Sequence, residues 1–204
     1  MIRLADGLWH WTARHPEWHP RTDFGARVGS YLAHEGGRTI LIDPLLGDED
    51  LDPLIDGDVV VAITLTYHVR DAAAAIERWG GVVSGHPDVA QRLPKGTPFD
   101  PDAGLRWHTL TGTKETPLEL PGLRALAFGD RIVGVERGLR FWMQREPTDE
   151  RRAWFRRVGV PRLAHLLDID FERALVTHGE PVMNDAHRAL ENALSGEPWY
   201  HRPS

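Results

Sequence analysis

The sequence predicts an α/β fold arranged as a four-layer αββα sandwich, and three observations predict it. Val59 to Leu65 is a continuous apolar and β-branched run of the kind found where both faces of a strand are covered. It leads through Thr66-Tyr67-His68-Val69-Arg70 into Asp71 to Trp79, an alanine-rich helix with an acid at its start and Gly80-Gly81 at its end. Many short strand-like pieces follow, and then a second set of helices.

Taken in order, Leu8 to Trp11 alternates as a strand and Val28 to Ala33 is rich in β-formers, with a loop of Pro, His and Trp between them. Gly36-Gly37 supplies a turn into Arg38 to Pro44, a buried strand whose proline ends pairing. Beyond the first helix, strand-like pieces stand at Gly81 to Val83, Leu105 to His108 and Arg124 to Phe128. Arg131 to Val135 and Leu139 to Trp142 form a hairpin around Glu136-Arg137-Gly138. Thr148 is placed to cap a helix running through Arg151, Trp154, Phe155 and Val158, its arginines reading as a solvated face. Ala174 to Thr177 is a last strand, and Asn184 is placed to cap a closing helix with Ala186, Leu190, Ala193 and Leu194 inward.

A chain of 204 residues, 41% of them hydrophobic, suffices for one sizeable core, so residues 1–204 are expected to form a single domain. With 24 basic against 30 acidic residues the formal net charge is −6, which argues against nucleic acid or an anionic membrane as partner. There is no cysteine, so disulfides, thiolate ligands and cysteine nucleophiles are all excluded, and any metal must use His, Asp or Glu. No stretch approaches the roughly 20 apolar residues of a membrane helix, and Met1 to Gly7 lacks the apolar run of a signal peptide, so a cytoplasmic location is the expectation. No G-x-S-x-G elbow, P-loop or G-x-G-x-x-G element is present.

Four short motifs carry a resemblance. Ser30-Tyr31-Leu32 to Leu41-Ile42-Asp43-Pro44 is a hairpin ending in an Asp-containing strand, and Leu65-Thr66-Tyr67-His68-Val69-Arg70-Asp71-Ala72 lies at a strand-to-helix turn. Phe128-Gly129-Asp130 and Val176-Thr177-His178-Gly179-Glu180-Pro181 follow at later strand ends. In this order, over about Leu4 to Leu194, they resemble the metallo-β-lactamase superfamily, with its T-H-x-H-x-D-H signature, T-G-D segment and late H-G segment. The resemblance implies the sandwich fold and a hydrolase ancestry in which two metals polarise substrate and generate hydroxide.

The departures from that pattern bear on the chemistry. Tyr67 stands at the first signature histidine, Val69 at the second, Asp71 at the aspartate and Ala72 at the last histidine, and neither Pro121-Gly122-Leu123 nor Leu110 to Thr113 supplies the family's third histidine. An isopropyl group coordinates nothing, so the resemblance implies a lost dinuclear site. Asp71, Asp130 and His178 remain as a partial site that suits no metal or one divalent ion, Zn, Mn or Fe. The competing assignment makes Asp71 a helix cap, Asp130 a turn cap and His178 a packed residue of a former site. Strand alternation points His68 away from Tyr67 and Val69, toward the core or a helix cap, with entry into the site as the alternative.

In the superfamily the loop joining the first strands lies beside the active-site groove. Here it brings His15, Trp18 and His19 as candidates to line the pocket with Tyr67 and His68, or else to pack the strands. His86, His108, His165, His187 and His201 have no partner at ligand spacing and are assigned to the surface or to satisfied core positions. Three readings stay open. The chain is a degenerate member that binds a small-molecule ligand or a partner; or a mononuclear ester or phosphodiester hydrolase on Asp71, Asp130 and His178; or a structural or oligomeric protein whose pocket Tyr67 and the tryptophan loop fill.

Overall fold

The computed structural model describes residues 1–22 and 24–200, so His201 lies outside the described residues. Alternating apolar side chains set the first sheet. Strands β1 (Ile2–Ala5), β2 (Leu8–Arg14), β3 (Arg27–Glu35) and β4 (Arg38–Ile42) run as an antiparallel meander. Strand β5 (Asp58–Ile63) then adds parallel to β4, and the crossover through helix α1 (Ala72–Trp79) returns the chain as β6 (Val82–Gly85), parallel to β5.

Both faces of β5 are covered, as its composition demands. Val59, Val61 and Ile63 pack with Ala72 and Ala75 of α1, while Val60 and Ala62 face the second sheet. That sheet begins with β7 (Arg106–Trp107), β8 (Leu118–Leu120) and β9 (Ala125–Phe128). The hairpin β10 (Ile132–Val135) and β11 (Gly138–Phe141) follows, and β12 (Arg173–Val176) completes the sheet parallel to β9. Ala125, Ala127 and Leu175 turn inward to the first sheet, and Leu126, Phe128, Ala174 and Val176 turn outward to the closing helices. Small inward alanines on β9 leave room for Tyr31, Ile40 and Ile42 of the facing sheet.

The closing helices begin as expected, with the Thr148 hydroxyl accepting the Arg151 N–H at the start of α2 (Asp149–Trp154). Regular helix does not continue through Val158. Residues Phe155–Gly159 form a π turn before α3 (Val160–Ala164), because Pro161 has no N–H to give the carbonyl four residues upstream. Gly159 in that turn admits Phe141, whose ring packs on Phe155 with centroids 4.7 Å apart. Helix α4 (Ala186–Ser195) buries Ala186, Leu190, Ala193 and Leu194, but its N-cap is Asp185 in a left-handed conformation rather than Asn184. The sequence reading missed β1 and β8, whose four and three residues are too short for a periodicity to register. Among the described residues no helix is long and apolar enough to cross a membrane.

One side chain ties the two sheets together. The buried Tyr31 hydroxyl donates to the Val176 carbonyl at 2.7 Å and accepts from the Val176 N–H at 3.0 Å, completing an edge of β12 that Val182 pairs at Ala174. Beside it, Gly29 donates to the Thr177 carbonyl at 2.7 Å, and a Cβ on Gly29 would stand 2.9 Å from the Val176 oxygen. Replacing Tyr31 by Phe leaves a buried N–H and C=O without partners. The variant is expected to lose about 1–3 kcal/mol in urea unfolding without change of fold.

Candidate functional site

The site is built where the strand ends converge on Asp43. Strand β4 stops at Ile42, and Asp43 takes a left-handed backbone (φ 44°) that turns its carboxylate into the interior, 2% exposed. There it accepts the Thr64 N–H at 2.8 Å, the Thr64 hydroxyl, and the Thr177 hydroxyl at 3.4 Å, so the ends of β4, β5 and β12 share one acceptor. Its fourth partner is His68, whose Nδ1 lies 2.9 Å away.

His68 is therefore inside the site. Strand alternation does not apply because the chain leaves β5 at Ile63, and the turn that follows bonds the His68 N–H back to the Leu65 carbonyl. Its Nε2 reaches Asp130 Oδ1 at 3.3 Å, and His178 Nε2 approaches the same oxygen at 3.2 Å. Both approaches are ion-pair contacts without aligned hydrogen bonds. Burial disfavours charge on His68, yet the Asp43 and Asp130 carboxylates outweigh it and raise the imidazole to about 9. Burial also opposes ionisation of Asp130, but His68 and His178 hold its carboxyl well below the usual carboxylate range.

A second, partly buried cation stands nearby. Arg70, with a left-handed backbone (φ 33°), donates to the Asp43 carbonyl at 2.6 Å and the Gly29 carbonyl at 3.2 Å. Burial pulls its guanidinium pKa down, and Asp43, Asp130 and Asp71 offset that pull. Asp71 itself occupies the N-cap position of α1 but makes no cap hydrogen bond there; its carboxylate accepts the Leu46 N–H at 2.8 Å.

Beneath the Gly129-Asp130-Arg131 turn lies Glu115, 2% exposed, whose carboxylate accepts the N–H groups of Gly129 and Arg131. Burial, reinforced by Asp130, pushes Glu115 up to about 7. Tyr67 does not fill the site. Its ring is 55% exposed and lines a cavity of about 430 Å³ together with Glu115, Asp130, Arg131, Phe24 and Trp142.

The N-terminal loop does lie beside this site, though through Phe24. Its ring stands 5.4 Å from both His178 and His15. Trp18 is turned to the Phe24 carbonyl and stacked under Arg14 at 4.8 Å, and His19 is exposed with its Nδ1 accepting the Arg21 N–H. Neither lines the cavity. Of the remaining histidines, His86 caps a short turn, His108 pairs with Glu119 at 2.9 Å and His187 bonds the Leu167 carbonyl at 2.7 Å. Sequence reasoning missed Asp43, Arg70, Glu115 and Phe24 as site residues. Two of them carried a local signal: Asp43 ends the first resemblance motif, and Arg70 stands between positions of the second.

These residues do not fit a metal. Among the described residues no group of three or more His, Asp or Glu side chains is arranged to hold an ion. Asp71 accepts the Leu46 N–H, and His68 and Arg70, on either side of Val69, already supply positive charge to Asp43 and Asp130. What the arrangement provides is an alternating chain of Asp43, His68, Asp130 and His178 behind an open cavity.

The raised groups set a pH dependence. Both Glu115 and His68 bind protons more tightly when folded than unfolded, so each contribution is full below the unfolded pKa and is lost as pH rises through the folded one. Stability is expected to fall across two windows, from about 4.5 to 7 for Glu115 and from 6.5 to about 9 for His68. Urea titrations over pH check this: Glu115→Gln should flatten the lower window and His68→Gln the upper.

No family model and no curated protein matches the sequence. Solved structures do. A metallo-β-lactamase from Erythrobacter litoralis superposes with a TM-score of 0.57 at 18% identity, covering 94% of this chain and 90% of that one. A metallo-β-lactamase family protein from Thermus thermophilus gives 0.57 at 18% identity, over 93% and 79%. The metallo-β-lactamase FIM-1 from Pseudomonas aeruginosa, in its mono-zinc form, gives 0.56 at 14% identity, over 93% and 92%. At such low identity over nearly the whole length, this chain is a divergent bearer of the metallo-β-lactamase fold.

Proposed function

We propose that this chain is a hydrolase-like protein on a four-layer αββα frame that binds a small-molecule ligand in the cavity beside Tyr67, without dinuclear metal hydrolysis. One observation carries the reading: His68 and Arg70 supply buried positive charge among Asp43, Asp71 and Asp130, while the cavity in front of Asp130 stays open. Histidinium and guanidinium neutralise carboxylates that would otherwise be costly to bury. A cavity of about 430 Å³ is of ligand size.

The mononuclear alternative on Asp71, Asp130 and His178 asks an ion to enter between Asp130 and His178, which touch at 3.2 Å, and to share Asp130 with the cationic His68 at 3.3 Å. The filled-pocket alternative conflicts with the exposure of Tyr67. We further place the protein in the cytoplasm as a single domain whose partner is neither nucleic acid nor a membrane; the acidic balance, 24 basic against 30 acidic residues, supports the exclusion of both partners.

The test is metal content of the untagged protein by plasma mass spectrometry after growth with Zn, Mn and Fe supplied. Strongly substoichiometric metal is expected, unchanged in Asp71→Ala and His178→Ala. Close to one equivalent, lost in either variant, overturns the proposal in favour of the mononuclear hydrolase.

A further inference from the structure

Two cavities meet at the same aromatic wall. The first, beside Tyr67, is flanked by Arg131 and Arg162, and the second, about 300 Å³, is lined by Val133, Trp142, Trp199 and Phe24. Phe24 and Trp142 belong to both.

The charge in the first cavity is positive despite the acidic chain. Lys114 is paired with Asp88 at 2.7 Å, but among the described residues neither the Arg131 nor the Arg162 guanidinium has a hydrogen-bonded or ion-paired carboxylate. The two acids in the lining are already occupied, Asp130 by His68 and His178, and Glu115 by the N–H groups of Gly129 and Arg131. Arg162 lies over the Gly112 turn. Gly112 has a left-handed backbone (φ 71°), which favours glycine, and the Arg162 guanidinium stands 2.7 Å from where a Cβ would be. A planar guanidinium without an acid partner at the mouth of a cavity suits a carboxylate or phosphate, which it binds through two parallel N–H donors.

We infer that the paired cavities take a small amphiphilic anion, its carboxylate or phosphate between Arg131 and Arg162 and its aryl or alkyl part against Phe24 and Trp142 toward Trp199. The inference rests on reading this site as a ligand site. It adds the class of ligand. Apolar burial against the aromatic wall supplies affinity, and the two guanidinium groups select the charged head.

Isothermal titration calorimetry with phenylbutyrate, phenylbutyl phosphate, the neutral phenylbutyramide and acetate tests it. The phenylbutyl anions are expected to bind at least about tenfold more tightly than the amide, the scale of one charge-assisted hydrogen bond. Acetate, which lacks the apolar part, is expected to bind far more weakly. Arg131→Gln and Arg162→Gln should each remove the preference for the anion while leaving amide binding and the melting temperature unchanged, and Trp142→Ala should weaken anion and amide alike. The better of the two phenylbutyl anions identifies the head group. Equal binding of amide and anion overturns the inference and leaves the ligand-site reading standing, as does an anion preference that survives both arginine substitutions. Binding of none of the four also overturns it, while metal content judges the broader reading separately.

Discussion

The ion pair between Asp43 and His68 is the contact on which the site depends. Asp43 gathers the ends of three strands through Thr64, Thr177 and His68, and it sits where the ends of both sheets come together. A carboxylate with so little exposure is costly to bury unless every lone pair has a partner. Here it has hydroxyl, amide and imidazole partners together. The same imidazole then faces Asp130 on its other edge, so one buried positive charge serves two carboxylates on different sheets.

Around that contact the backbone is forced into conformations that side chains seldom adopt. Asp43 and Arg70 both have left-handed backbones, and each directs a charged group inward. Tyr31 and Gly29 hold β12 against β3 just behind, which fixes Thr177 and His178 within reach of Asp43 and Asp130. Packing of the sheets and chemistry of the site are thus linked through β12, which carries the Tyr31 partner Val176 and, two residues on, His178.

Exposed and buried charges play different parts. Arg152 and Arg156 pair with Glu197 at the surface, where such contacts contribute little. His68 is buried and Arg70 largely so, and they set the character of the interior. With Asp130 committed inward, the cavity beyond it takes its polarity from Arg131, Arg162 and the Tyr67 hydroxyl.

Much of the fold was written in local patterns. The apolar run of β5, the alanines of α1, the hairpin of β10 and β11 and the inward face of α4 follow from periodicity and turn residues, because those depend on neighbours in sequence. That Tyr67, Val69 and Ala72 are not imidazoles was equally plain from the residue types. What the sequence could not decide was direction. His68 lies just past the end of a strand, where alternation no longer governs, and only the turn closed by Leu65 shows that it points inward. Glu115 and Phe24 come from loops with no periodicity, and they join the site through contacts with residues far along the chain. Residue types and the α/β order of the elements were therefore determined by the sequence itself. Which charges share the buried centre was decided by tertiary structure, because electrostatic partnership depends on distance in space and not on separation along the chain.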